Sequence, residues 1–283
     1  MKYTVLTLFP EIIDVYFANS IMAKALKREI VKYRSVNIRD FAVDRHKTCD
    51  DAPYGGGPGM LMLAEPLGRA LEAAGARNRF SPGGESAPPG TEAAPAAEAA
   101  PPGTEAVPPA EARPYVVYLS PSGRPFTQAR AAELAAVDEL ILLCGRYEGI
   151  DQRVIDTYVD EELSVGDYVL SSGEVAALTV IDATYRLLDK VITPESLDEE
   201  SFSGGLLEYP QYTRPEVFGT LKVPEVLLSG HHENIRRWRL KERIRKTCTF
   251  RPDLIDRGLL QGLFDAETVT LIEEGKHERD KGD

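Results

Sequence analysis

"ELILLCGRYEGID", residues 139–151, is the stretch on which the fold turns. After Glu139, the next five residues form an apolar run with no polar alternation. A short strand buried on both faces reads this way, and such strands belong to parallel sheets covered by helices on both sides. The glycine-bearing "GRYEGID" follows, and "DQRVIDTYV" (Asp151–Val159) reads as helix. The same unit appears upstream. "YVVYL" (Tyr115–Leu119) is a buried strand, "SPSGRPF" its loop, and Thr127–Val137 an amphipathic helix capped by Thr127. Near the N-terminus, Tyr3–Phe9 is expected to be a strand. Pro10 suits a first helical position, with Ile12, Ile13, Tyr16, Phe17 and Ile21 at helical spacing. Ser35–Phe41 is expected as a second strand, Glu65–Gly75 as a helix, Tyr168–Ser171 as extended chain and Glu174–Lys190 as a long helix. Alternating strand and helix give an α/β fold over residues 1–190, a parallel sheet with helices on both faces.

Composition bounds the rest. The chain has 283 residues and a net charge of −12, which weighs against a nonspecific nucleic-acid coat but permits a local basic face. Cys49, Cys144 and Cys248 are far apart and, like the four histidines, follow no metal spacing. No apolar run approaches membrane-spanning length, and "MKYTVLTLFPEII" alternates like a strand without a cleavage pattern. The expectation is a cytoplasmic protein with no membrane partner. Residues 81–112 are almost entirely Ala, Pro, Gly, Glu, Ser and Thr, and "APPGTEAAP" (Ala87–Pro95) returns as "APPGTEAVP" (Ala100–Pro108). Such a segment cannot bury enough surface to order itself, so it is expected to be a disordered insertion. A polar hinge, 191–205, is expected to lead into a small helical domain, 206–283.

Ligands bind parallel sheets at the carboxyl ends of the strands. Small residues recur there in "SPSGRPF", "GRYEGID" and "SSGEV". Neither G-x-G-x-x-G nor a Walker A sequence is present. "APYGGGPGM" (Ala52–Met60) places four glycines between Gly55 and Met60, stiffened by Pro53 and Pro58. A shaped binding loop explains so bare a backbone better than a linker does. "IRRWRLKERIRK" (Ile235–Lys246) carries seven Lys/Arg and one Glu. Glu partners at i,i+4 are nearly absent, so the repulsion favours an RNA-phosphate footprint over a merely solvated face. Trp238 within it suits base stacking or core packing equally.

"APYGGGPGM", "YLSPSGRPF", "CGRYEGIDQRVID", "VGDYVLSSGE", "LLEYPQYTRPEVF" and "VLLSGHHENIRRWRLK" occur in this order, across nearly the whole chain outside the insertion. Together they resemble the bacterial tRNA (guanine-N1)-methyltransferases, which modify the guanosine immediately 3′ of the anticodon. The resemblance implies a deep trefoil knot, a helical C-terminal tRNA-binding domain, a homodimer, S-adenosylmethionine as methyl donor and a need for Mg²⁺ with no ligands identified. It places Tyr118, Leu119, Pro121, Gly145, Tyr147, Gly149, Val165, Tyr168, Leu170 and Gly173 around the cofactor, although Tyr118, Leu119 and Leu170 equally suit strand packing. It places His46, Asp50, Gly56, Gly57, Glu148, Arg236 and Arg239 toward tRNA, with His46 equally readable as a surface histidine. A bare glycine loop would let a flipped base approach.

Methylation at N1 needs a group to take the N1 proton and a cation to steady charge on O6. The resemblance assigns these to Glu200 and Arg186. Glu200 stands where the family carries Asp, one methylene shorter, and Asp198 in "LDEES" is a rival base. Two alternatives accompany this reading: a knotted methyltransferase of another RNA, and a non-catalytic RNA-binding relative.

Overall fold

The computed structural model describes residues 1–80, 113–193 and 199–279, with side chains to residue 274. The expected insertion, 81–112, and Asp198 lie outside the described residues. The chain divides into two compact units, Met1–Val191 and Ile192–Asp283.

The first unit is built on a five-stranded parallel sheet in the order β2-β1-β6-β5-β7. The strands are β1 (Lys2–Thr7), β2 (Lys32–Asn37), β5 (Tyr115–Pro125), β6 (Glu139–Cys144) and β7 (Glu161–Ser164). A small antiparallel pair, β3 (Asp50–Asp51) and β4 (Leu61–Met62), lies beside it in sequence. Helices are α1 (Pro10–Phe17), α2 (Ser20–Lys27), α3 (Ala64–Ala73), α4 (Gln128–Ala135), α5 (Gln152–Tyr158) and α6 (Gly173–Tyr185).

The apolar runs supply both faces of the sheet, as alternation along a strand requires. Tyr3, Val5, Val117, Leu119, Leu140 and Leu142 face one layer, packed with Ile13 and Phe17 of α1, Met22 of α2, Leu134 of α4 and Val180 of α6. Leu6, Val116, Tyr118, Ile141 and Leu143 face the other, packed with Leu67 and Leu71 of α3 and Val154 and Tyr158 of α5. The expected α/β architecture, a parallel sheet covered on both faces, is the one observed.

Three element readings are corrected. The second strand lies earlier, at Lys32–Asn37, and Ile38–Phe41 is a 3₁₀ turn begun by Asn37, whose side chain accepts the Arg39 N–H. "SPSGRPF" is not simply a loop. Strand β5 runs through it to Pro125, with its register against β7 shifted between Leu119 and Arg124. The last parallel strand is β7, Glu161–Ser164, and not Tyr168–Ser171. Its two glutamates hid it, because an edge strand need not be apolar on both faces. Arg130 of α4 pairs with Glu161 there.

The second unit contains a hairpin of β8 (Val217–Phe218) and β9 (Leu221–Lys222), then α7 (Glu225–Leu228), α8 (His232–Phe250), α9 (Pro252–Leu260) and α10 (Ala266–Arg279). Its core joins Leu206, Ile244, Ile255, Leu271 and Ile272. Arg243 of α8 is half-buried and donates to the carbonyls of Ser203 and Leu207, tying the incoming chain to the helix.

Candidate active site

In the first unit, the residues expected around the cofactor lie at and after the ends of β6 and β7 and in the part of β5 that runs beside them. Gly145 follows β6 directly. A Cβ there would lie 2.9 Å from the Tyr118 hydroxyl, so glycine lets the loop rest on that ring. Tyr118 itself is only 6% exposed. Burial first, then the nearby Glu162 charge, pushes its phenol up to about 12. It supports the loop from below as a neutral hydroxyl. Leu119 is buried in β5 between Cys144 and Leu163. Tyr147 adopts φ 58° and is 45% exposed, and Gly149 has φ 132°. That pairing of left-handed residues turns the 145–149 loop back over the sheet edge.

Two loops are then joined by backbone. The Gly173 N–H donates to the Gly145 carbonyl at 2.9 Å, and Arg146 bridges Ser172. A Cβ on Gly173 would sit 2.7 Å from the Cys144 Cα, so only glycine permits the approach. Arg146 also lies over the Phe9 ring, 4.5 Å from its centroid. Val165 and Leu170 pack against the α6 side of the sheet. Tyr168 is 57% exposed, its hydroxyl donating to the Val165 carbonyl. Pro121 is exposed in the shifted stretch of β5.

The glycine-rich loop is pinned to this cluster. The Glu148 N–H donates to the Met60 carbonyl at 3.1 Å. The Met62 N–H donates to the Gly149 carbonyl at 3.0 Å, and the Asp151 N–H to the Met62 carbonyl at 3.2 Å. Asp50 pairs with Met62 across β3 and β4. The fold thus brings Asp50, the glycine loop and Glu148 together, although they are distant in sequence. Gly55, Gly56, Gly57 and Gly59 all have positive φ. The first three face open space, whereas a Cβ on Gly59 would lie 2.3 Å from the Glu148 Cγ. His46 is exposed, its N–H bound to the Asp44 carboxylate at 2.9 Å. Hydrogen bonds led by the Thr48 N–H hold Asp44 below the usual carboxylate range. An open groove of about 930 Å³ between the 43–48 loop, α3 and α5 contains none of the expected site residues in its lining.

Arg186 caps the C-terminal end of α6 in the first unit. Glu200 lies in the second, partly exposed, next to Glu199, which accepts from Tyr209 and pairs with Arg239. The basic run forms the middle of α8, but its charge is less free than its spacing suggests. Arg236 pairs with Glu233 and with Glu267 of α10, and Arg245 pairs with Glu242. Arg239 also lies over the Tyr209 ring. Arg237 and Lys241 are exposed and make no ion pair among the described residues. Partners at i−3 and on a second helix relieve the repulsion that counting only i,i+4 left standing. Trp238 is half-buried and lies 6.3 Å from the Tyr212 ring.

One buried polar pair went unread in the sequence: Thr7 at the end of β1 and Glu174 at the start of α6. Its only signal was a glutamate in the otherwise apolar "GEVAALTVI".

Comparison with known proteins gives the same direction throughout. The family model described as tRNA (Guanine-1)-methyltransferase TrmD matches residues 1–82 and 96–257, its break falling inside the compositionally biased segment. A tRNA (guanine-N(1)-)-methyltransferase of Treponema denticola is 51% identical over 278 residues, covering 98% of this chain and all of the relative. The similarly named Treponema pallidum protein is 49% identical over 278 residues, 98% of this chain and 97% of its own. That of Borreliella burgdorferi is 52% identical over 256 residues, 90% of this chain and 92% of its own. With the motifs in order and the match running through both compact units, the chain belongs to the tRNA (guanine-1)-methyltransferase TrmD family.

Proposed function

We propose that this protein transfers a methyl group from S-adenosylmethionine to N1 of the guanosine immediately 3′ of the anticodon in tRNA. Family membership makes it a tRNA (guanine-N1)-methyltransferase. The donor, the guanosine's position and every residue role are the proposal. The observation that carries it is the backbone seam joining the glycine-rich loop to the 145–149 loop through Met60, Met62, Glu148 and Gly149. It puts a bare, solvent-facing backbone beside loops suited to hold a small ligand.

The residues fit the donor. Glycines at 145 and 173 let the loops close tightly on Tyr118 and Cys144 at the carboxyl ends of the strands, and Tyr147 and Tyr168 offer exposed rings beside them. Tyr118, Leu119, Pro121, Gly145, Tyr147, Gly149, Val165, Tyr168, Leu170 and Gly173 would surround or support the cofactor. When bound, S-adenosylmethionine supplies an electrophilic methyl group. His46, Asp50, Gly56, Gly57 and Glu148 would receive the target nucleotide, with carboxylates reading the donor edge of guanine. Glu200 takes the N1 proton, freeing the nitrogen lone pair for attack, and Arg186 steadies charge on O6. Arg236, Arg239 and their neighbours on α8 meet RNA phosphates, making Ile192–Asp283 the tRNA-binding unit.

The reading extends to the assembly. A deep trefoil knot between β5 and α6 accords with the close backbone approaches at Gly123 and Gly173. A homodimer accords with exposed Ile12 and Val15 on α1 and Val175 on α6, two helices joined by a Tyr16–Asp182 hydrogen bond. Among the described residues no three His, Cys, Asp or Glu side chains come together as a metal site. Mg²⁺ is commonly held by one or two carboxylates together with substrate oxygens, which needs no such cluster. No helix among the described residues is long and apolar enough to cross a membrane, and we place the enzyme in the cytoplasm with its tRNA.

The test is methyl transfer from labelled S-adenosylmethionine to unmodified tRNA carrying G or A next to the anticodon. Label should enter only the G-bearing tRNA, at N1. Glu200→Gln should slow single-turnover transfer by roughly 10²–10⁴ while leaving cofactor affinity unchanged. Label in neither tRNA would sink the reading. Loss of transfer in Asp198→Asn with full transfer in Glu200→Gln would move the base two residues upstream.

A further inference from the structure

Glu174 is 1% exposed, in the first turn of α6. Its Oε1 accepts the Thr7 hydroxyl at 2.5 Å, and the same hydroxyl oxygen accepts the Phe9 N–H at 2.9 Å. Its Oε2 is buried with no hydrogen-bond partner among the described residues. A buried carboxylate with one unpartnered oxygen and no ion pair among the described residues is costly to keep ionised, and a cation arriving beside it would offset that cost. The α6 N-terminus offsets only part of it.

Its place in the fold is beneath the loops proposed to hold the cofactor. The preceding residue, Gly173, bonds Gly145 and packs on Cys144, so Glu174 lies beneath the point where the 145–149 and 165–172 loops leave the sheet. Its field reaches the root of that loop, where burial and the Glu174 charge together push the Cys144 thiol up. If those loops hold S-adenosylmethionine, as proposed above, the ligand brings a positively charged sulfonium. The spent product, S-adenosylhomocysteine, has a neutral thioether in its place. We propose that Glu174 is a specificity-determining residue whose buried charge favours the cationic donor over the neutral product, aiding product release after each transfer. It acts through its field and not by touching the reacting atoms.

Calorimetric titration of the full chain tests this without turnover. The ligands are S-adenosylmethionine, S-adenosylhomocysteine and sinefungin, whose protonated amine stands where the sulfonium charge would be. Glu174→Gln should weaken S-adenosylmethionine and sinefungin by about tenfold, the scale of one charge interaction in a partly screened interior, and leave S-adenosylhomocysteine within about twofold. Equal weakening of all three would assign Glu174 a purely structural role, and no change in any would make its charge irrelevant. Either result overturns the proposal. Should Glu174→Gln fail to fold, Glu174→Met removes the charge at similar volume and makes the same comparison. Wild-type protein that binds none of the ligands would overturn the cofactor assignment itself, and this inference with it.

Discussion

Gly59 shows how a single residue serves both backbone and neighbour. Its φ of 92° lies where side chains are strained, and the Glu148 Cγ occupies the space its Cβ would need. Gly55 to Gly57 share the conformation but face open space. Gly59→Ala should therefore move Glu148, whereas Gly56→Ala should strain the loop and leave Glu148 in place. We expect Gly59→Ala to lower kcat/KM for tRNA by about tenfold or more, equivalent to ~1.4 kcal/mol of transition-state binding. Cofactor affinity by calorimetry should be preserved. Unaltered turnover would mean that Glu148 can shift without consequence and has no role near the guanine. The glycines themselves were legible in the sequence, because nothing else explains so many together. Which of them touched a functional side chain was not.

At the scale of elements, helix α8 illustrates what spacing can and cannot give. A run of seven cations was visible, but their partners were not. Arg236 is neutralised in part by Glu267 from α10, an arrangement that only packing reveals. Arg237 and Lys241 keep exposed charge unpaired among the described residues, so they should contribute most to RNA phosphate binding. Arg237→Ala with Lys241→Ala is expected to reduce the slope of log K for tRNA against log salt by about one to two, and Arg236→Ala alone by less. A filter-binding salt series decides it. An unchanged slope in the double variant would show that this face of α8 does not meet the RNA. Strand β7 makes the converse point. Its Glu161 and Glu162 gave no strand signal, yet pairing with β5 and the Arg130–Glu161 ion pair make it the sheet's edge.

Across the first unit, one carboxylate fastens the two sides of the Pro/Ala-rich segment. Asp160 is 5% exposed at its side chain. It receives Arg79 from before the segment, Arg113 from after it, and the Val116 N–H at 2.9 Å. Asp160→Asn should cost about 2–3 kcal/mol, less than a fully buried pair because Arg113 is half-exposed. Urea unfolding would measure it, and a loss under ~0.5 kcal/mol would contradict so central a clasp. With both flanks fastened at one point, replacing residues 81–112 by a short Gly/Ser turn should leave stability and methyl transfer near wild-type, since closure entropy changes only slowly with loop length. Loss of folded protein after that replacement would show that the segment contributes contacts of its own. The sequence by itself determined the parallel sheet and its helical cover, because short apolar runs such as "ELILLC", bounded by glycine loops and alternating with amphipathic helices, read as strands buried on both faces. It also determined family membership, through motifs spread along nearly the whole chain. Only the tertiary structure decided that Gly59 meets Glu148, that Gly145 bonds Gly173, and that Thr7 and Glu174 share a buried hydrogen bond. Contacts between residues far apart in the chain are fixed by how the layers pack and how the loops cross at the sheet edge, and no local pattern of residues encodes them.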